Sequence, residues 1–232
     1  MKKQRCGFSR APDLLLRIFS LRHFMLILPC LLALAAAALI LYTHIDPILE
    51  NARRTEYLQK LDRTFALNPE YLSDGFDYPV GPPDAKGYYC AQEFSVNRHL
   101  GEDWNGVRGG NTDINDPVYA AANGVVVFAD WVSVGWGNVI RIVHKVPDKK
   151  SENGLRYVET LYAHLNAILV LPGDLVKRGE WIGTIGNANA VYYAHLHFEI
   201  RNDIFLMNGG GYGKRAGFLR PRMFIRSQRP RP

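Results

Sequence analysis

Phe24 to Tyr42 is a run of nineteen residues without a charge, FMLILPCLLALAAAALILY, and nothing else in the chain restricts its fold as strongly. At ~1.5 Å rise per residue a helix of that length is roughly 28 Å long, about the thickness of a bilayer core. Lys2, Lys3, Arg5, Arg10, Arg17 and Arg22 precede it and only Asp13 opposes them, so the positive-inside rule keeps the N-terminus in the cytoplasm. The competing reading is a cleaved signal peptide, with Ala35 to Ala38 as the small residues a signal peptidase accepts. The apolar run continues through Leu39, Ile40, Leu41 and Tyr42, beyond the ~7–15 residues of a signal h-region, and an uncleaved anchor is expected. The chain therefore reads as a single-pass protein of a bacterial inner membrane, with a cytoplasmic basic segment (1–23), a span (24–42) and everything after it outside the cytoplasm. Nucleic acid is excluded as a partner by that topology.

Cysteine usage agrees. Cys6 falls on the cytoplasmic side, Cys30 in the membrane and Cys90 alone outside, so no disulfide forms within the exported part. Cys90 is expected to be a small buried apolar residue.

Residues 43–87 read as a helix followed by a linker. Asp46 is placed as N-cap with Pro47 at the first helical position, Leu58, Leu61 and Phe65 lie on an apolar face, and Asn68-Pro69 stops the helix. The stretch YLSDGFDYPVGPPDAKGYY, with Pro79, Pro82 and Pro83 among Gly and Asp, suits an extended linker rather than a core element. From Tyr88 to about Asn202 the pattern changes to short runs rich in Val, Ile, Tyr and Phe, such as GVVVFADWV, NVIRIVHKV and RYVETLYAHL, punctuated by Gly, Asn, Asp and Pro. That rhythm predicts an all-β domain, a compact antiparallel sandwich or barrel-like fold over 88–202. The hydrophobic fraction of 47% in 232 residues suffices for one such core. Residues 203–232 form a basic extension that supplies much of the net charge of +6, able to meet anionic polymers or simply to solubilise.

Five histidines lie in the β segment: His99, His144, His164, His195 and His197. In a strand, His195 and His197 of HLHFE project from one face and Leu196 from the other. An isolated pair of that kind is more often a solvated sheet face than a metal site. His99 stands four residues before Asp103 in RHLGEDWNG, where Gly101, Asn105 and Gly106 favour a loop over a helix. His164 alone would read as a half-buried strand histidine. Imidazole and carboxylate are zinc ligands, and three of them with an open fourth position make a catalytic site. His99, Asp103 and one of the HxH pair would supply that set.

The joint pattern resembles the LytM and lysostaphin-like zinc metallopeptidases that cut peptidoglycan peptides. The resemblance runs from about Arg98 to Arg201 and rests on RHLGEDWN, DPVYAAANGVVV, GWGNVI, LYAHL, GDLVKRGEWIGTIG and HLHFEIR. It implies a LytM-type fold (a duplicated hybrid motif), Zn2+ held by His99, Asp103 and His197, and catalytic roles for His195 and His164; His144 matches no functional position. Zinc in such a site brings the pKa of a bound water to roughly 7. The two histidines would share proton transfer and oxyanion stabilisation, with His195, the strand neighbour of His197, expected as the base. Glu199 is placed to accept from a ligand imidazole, and Trp136, Asn187 and Tyr192 are groove candidates. The chain departs from the family at NANAVYYA before HxH and at the longer GVRGGNTDIND, which bears on substrate preference. The expected function is hydrolysis of peptide cross-links or stem peptides of peptidoglycan in wall remodelling. The alternative is a non-catalytic module that activates another wall hydrolase, a role in which such relatives lack one or more of these residues.

Overall fold

The computed structural model describes residues 12–229 except 152 and 208–210. Lys2, Lys3, Arg5, Cys6 and Arg10 of the basic segment lie outside the described residues.

The chain divides into two compact units, 1–60 and 61–232. The described residues of the first form a single helix. Helix α1 (Pro12–Leu67) runs without interruption through Pro29 and Pro47, so the expected restart at Asp46 does not occur and Asp46 is not a cap. A proline inside a helix leaves one carbonyl without its donor, a defect that a membrane helix tolerates when local groups compensate. Within α1 the apolar side chains from Ile27 to Tyr42 are exposed, and among the described residues this is one helix long and apolar enough to cross a membrane by length and composition.

The second unit begins inside the last turns of α1. Leu61 and Phe65 are buried there, and Asp62 Oδ1 accepts from Lys145 Nζ at 2.5 Å and from Tyr157 Oη at 2.6 Å. The helix stops as expected at Asn68, whose side-chain amide donates to the Thr64 carbonyl. The following stretch is not a linker. Phe76 and Val80 are fully buried and Tyr78 nearly so, all within the main hydrophobic cluster. Backbone bonds from Asp77 N to Ala121 O and from Tyr119 N to Pro79 O tie the stretch to the domain. The compact domain accordingly starts some 27 residues before the expected boundary at Tyr88.

Among the described residues eleven strands follow: β1 (Tyr88–Gln92), β2 (Glu102–Gly106), β3 (Pro117–Tyr119), β4 (Gly124–Ser133), β5 (Gly137–Pro147), β6 (Leu155–Leu165), β7 (Ala167–Ile168), β8 (Leu175–Val176), β9 (Trp181–Thr184), β10 (Leu196–Arg201) and β11 (Phe218–Leu219). The large sheet has the order β1-β2-β10-β6-β5-β4-β8, with β11 added beside β10, and a smaller sheet has the order β3-β9-β7. Every pairing is antiparallel. The large sheet begins at β1 and ends at β8, so the fold is open rather than a closed barrel. Val118, Ile182 and Ile185 of the small-sheet side share one core with Ile140, Ile142, Tyr162 and Phe198 of the large sheet.

The basic extension is docked. Helix α2 (Pro221–Gln228) buries Phe224 and Ile225, and Arg222 reaches Glu93 at 2.7 Å and Glu102 at 3.2 Å, so part of its positive charge is consumed internally. Cys90 is half-buried against the core, and burial pushes its thiol up to about 12, in keeping with an inert packing role.

His144 is structural. It is fully buried, its Nδ1–H donates to the Asn123 carbonyl at 2.8 Å and its Nε2 pairs with Thr160 Oγ1 at 2.8 Å. Burial pushes it down from 6.5 to about 4. A folded value below the unfolded one means the neutral form is favoured in the native state, so its contribution is complete above pH 6.5 and is lost as the pH falls toward 4. The gap is worth about 3 kcal/mol. Urea unfolding of the wild type and His144→Gln between pH 7.5 and 4.5 is expected to show the wild type losing stability more steeply by about one proton; parallel slopes would refute this assignment.

Candidate metal centre and cleft

Strand register assembles the site. On β10, His197 lies opposite Asp103 of β2 and opposite Ala163 of β6, so ligand-type residues distant in sequence face one another across adjacent strands. Asp103 thus sits on a strand rather than in the expected loop, with Trp104 beside it buried in the core. His99 is delivered by the turn before β2, where Ser95, Asn97 and Arg98 all have positive φ. Gly101 is required for the approach, since a Cβ there would stand 2.8 Å from His197 Cε1 and 2.7 Å from the Phe198 carbonyl.

His164 reaches the cleft by a different device. On β6, Tyr162 faces the main core and Ala163 the opposite face. Alternation would return His164 to the core side, but its φ of +65° interrupts the pleat, and Leu165 takes the core position instead. A non-glycine residue held in the left-handed region costs of order 1–2 kcal/mol, and such strain collects at functional positions. His195 precedes β10 and is placed by an isolated bridge to Gly186.

His99 Nε2, Asp103 Oδ1 and His197 Nδ1 form a triangle with edges of 3.0, 2.9 and 3.3 Å. Three N/O ligands at ~2.0–2.2 Å from one zinc in tetrahedral arrangement lie roughly 3.3 Å apart, so the donor set and its spacing fit such an ion, and this trio is the group whose ligand atoms converge among the described residues. The other face of His197 supports the same conclusion. Its Nε2–H donates to Glu199 Oε1 at 2.9 Å, which directs Nδ1 toward Asp103 and His99, where it would meet a metal once deprotonated. Burial opposes charge on His197, but the hydrogen bonds and charges of Asp103 and Glu199 outweigh it and raise its pKa to about 9. For Asp103, burial likewise opposes ionisation, and the bonds to His197 and His99 hold the carboxyl far below the usual range. The site favours positive charge.

The two remaining histidines stand beside the trio, their ring centroids 4.7 Å apart. His195 Nδ1 lies 2.8 Å from the Tyr193 carbonyl and His164 Nδ1 lies 3.2 Å from the Trp136 carbonyl. A carbonyl only accepts, so in each ring Nδ1 carries a proton, and the lone pair of the neutral tautomer is on Nε2. His195 Nε2 is 3.9 Å from Asp103 Oδ1. Burial, then the neighbouring His197 and His195, push His164 down to about 3, leaving a neutral imidazole.

His99, Asp103, His164, His195 and His197 line one cavity of about 540 Å³, with Trp136 and Tyr192 also in its wall. A second cavity of about 660 Å³ adjoins it and is lined by Asn187, Tyr192 and Tyr193. The sequence did not single out Gln92, Gly211 and Tyr212 in the first wall, nor Asn105 and Asn111 in the second. Tyr212 comes from the basic extension and lies against the His99 ring at 5.2 Å; no local pattern marks it.

The antiparallel β domain thus converges two imidazoles and a carboxylate into a candidate metal centre with two further histidines beside it. Residues 98–209 match Peptidase family M23, and this part of the chain belongs to that family. DD-carboxypeptidase/endopeptidase Mpg of Neisseria meningitidis is 38% identical over 103 residues, covering 44% of this chain and 20% of that protein. Lysostaphin of Staphylococcus simulans is 30% identical over 149 residues, 59% of this chain and 27% of that protein. Peptidoglycan DD-endopeptidase ShyC of Vibrio cholerae is 35% identical over 114 residues, 49% and 21% respectively. The chain thus spans between a fifth and about a quarter of the length of these relatives. A solved structure of lysostaphin from Staphylococcus simulans aligns with a TM-score of 0.44 and 26% identity over 61% of this chain and 50% of that one.

Proposed function

We propose that the protein is a zinc-dependent endopeptidase acting on peptide cross-links or stem peptides of peptidoglycan, held by α1 in the inner membrane with its β domain on the periplasmic side. The observation that carries this reading is the convergence of three ligand atoms within 3.3 Å beside two imidazoles whose Nδ1 atoms each face a backbone carbonyl. His99, Asp103 and His197 hold the metal. Zinc bound there supplies Lewis acidity to the scissile carbonyl and to the attacking water. His195, with its proton fixed on Nδ1 by the Tyr193 carbonyl, takes the proton of that water at Nε2. His164 presents the second Nε2 across the cleft and relays that same proton from His195 to the leaving amine. Residues 12–23 then lie at the cytoplasmic surface, 24–42 in the bilayer, and the domain that includes 88–202 outside.

Full chain purified in detergent, assayed for zinc and for digestion of purified peptidoglycan by mass spectrometry beside His197→Ala, tests the proposal. The wild type is expected to hold about one zinc and to release peptide fragments, the variant to do neither. Equal digestion by His197→Ala would sink the mechanism. Lack of zinc and of digestion, with stimulation of a second wall hydrolase, would establish the binding-module alternative.

A further inference from the structure

Tyr192 stands at the boundary of the two cavities and lines both. Its ring centroid is 5.1 Å from that of His164 and 5.8 Å from that of His195. Its hydroxyl reaches the opposite wall, close enough that a Cβ built on Gly135 would sit 3.3 Å from it. The side chain therefore crosses from the loop before β10 to the turn between β4 and β5, directly over the two histidines.

The loop that carries Tyr192 is held in a costly shape. Ala188, Asn189 and Ala190 have φ of +51°, +57° and +66°, a left-handed turn that costs roughly 1–2 kcal/mol per residue for L side chains. Asn187 Oδ1 accepts from Ala190 N at 2.9 Å inside the turn. At its far end Ala194 N donates to Asn111 Oδ1 at 2.8 Å, and Asn105 Nδ2 donates to the Ala194 carbonyl at 3.2 Å. Asn111 belongs to GVRGGNTDIND and Ala194 to NANAVYYA, the two segments that depart from the family pattern. They are one unit, and what they brace is the placement of Tyr192.

We propose that Tyr192 is a specificity-determining residue, a bar across the cleft that admits only peptides with a small side chain, Gly or Ala, beside the bond lying over His164 and His195. The inference rests on the peptidase reading for the identity of that bond, but not for the steric selection itself. Tyr192 is 46% exposed, so removal of its ring leaves the core intact. A pocket wall that rejects one or more methylenes discriminates by about 10–200-fold.

The test uses the zinc-loaded full chain and a synthetic stem-peptide series differing at one position as Gly, Ala or Leu, with both binding and cleavage measured. The wild type is expected to bind and cleave the Gly and Ala peptides at least tenfold better than the Leu peptide. Tyr192→Ala should reduce that ratio to near one, and Tyr192→Phe, which keeps the ring, should retain it. Size selection in binding without cleavage of any peptide would support the bar and remove the peptidase reading. A ratio unchanged in Tyr192→Ala, or absent in the wild type, would overturn the proposal.

Discussion

Replacement of His164 by alanine is expected to lower kcat on peptidoglycan peptides by about 10²–10⁴-fold while zinc content stays at the wild-type level. The two halves of that expectation come from different features. The His164 ring is outside the trio that converges on the metal position, so the ligand set survives its loss. The ring does stand beside His195, with its own proton tied to the Trp136 carbonyl, and in the proposed mechanism its loss removes one of the two proton carriers. The backbone supplies an internal control. His164 has a φ of +65°, which alanine inherits with its strain and glycine occupies freely. His164→Gly should therefore be as inactive as His164→Ala, yet more resistant to urea by a few tenths to about 1 kcal/mol. Loss of zinc in both variants would show that His164 shapes the metal centre rather than acting in the chemistry.

That strained φ also marks where sequence reasoning stops. HxH was legible because strand alternation alone puts His195 and His197 on one face, and His99 with Asp103 was legible as a ligand pair at short spacing. Nothing local says that β10 lies between β2 and β6, the register that brings His197 against Asp103 and within reach of His164. A period-two pattern places His164 on the core face, and only the observed break in the pleat turns it. The stretch from Leu72 to Tyr88 misled for a related reason. Its prolines and glycines have the composition of a linker, yet they turn the chain so that Phe76, Tyr78 and Val80 enter the core. Asp46-Pro47 carried the chemistry of a helix start, but capping preference is a weak term, and α1 continues through it. Phe224 and Ile225 of α2 lie in a tail whose arginine content masks two core residues.

Arg201 gives the second large expected effect. Glu199, which holds the Nε2–H of His197, is itself held by Arg201 Nη2 at 2.6 Å and Nε at 2.7 Å. Arg201 Nη1 reaches Glu159 at 3.3 Å, and Glu159 takes two bonds from Arg141 at 2.7 and 2.9 Å. Arg201, Glu159 and Glu199 are almost completely buried, and the two arginines balance the two carboxylates. Glu199 is kept ionised: burial opposes this, but the bonds and charges of His197 and Arg201 hold its pKa below the usual value. Arg201→Met leaves Glu159 with Arg141 alone and Glu199 with no guanidinium partner, and breaking a buried pair in this way costs about 3–5 kcal/mol. Urea unfolding of Arg201→Met should show a loss of that size. Glu199→Gln separates stability from metal binding, because its amide oxygen still accepts from His197 while the charge behind the imidazole is gone. Competition with a chromogenic chelator should show zinc binding weakened about 10–100-fold in Glu199→Gln. If the affinity were unchanged, the line from Arg141 to His197 would be a device for holding β5, β6 and β10 together, and the basicity of the His197 ligand would owe nothing to it.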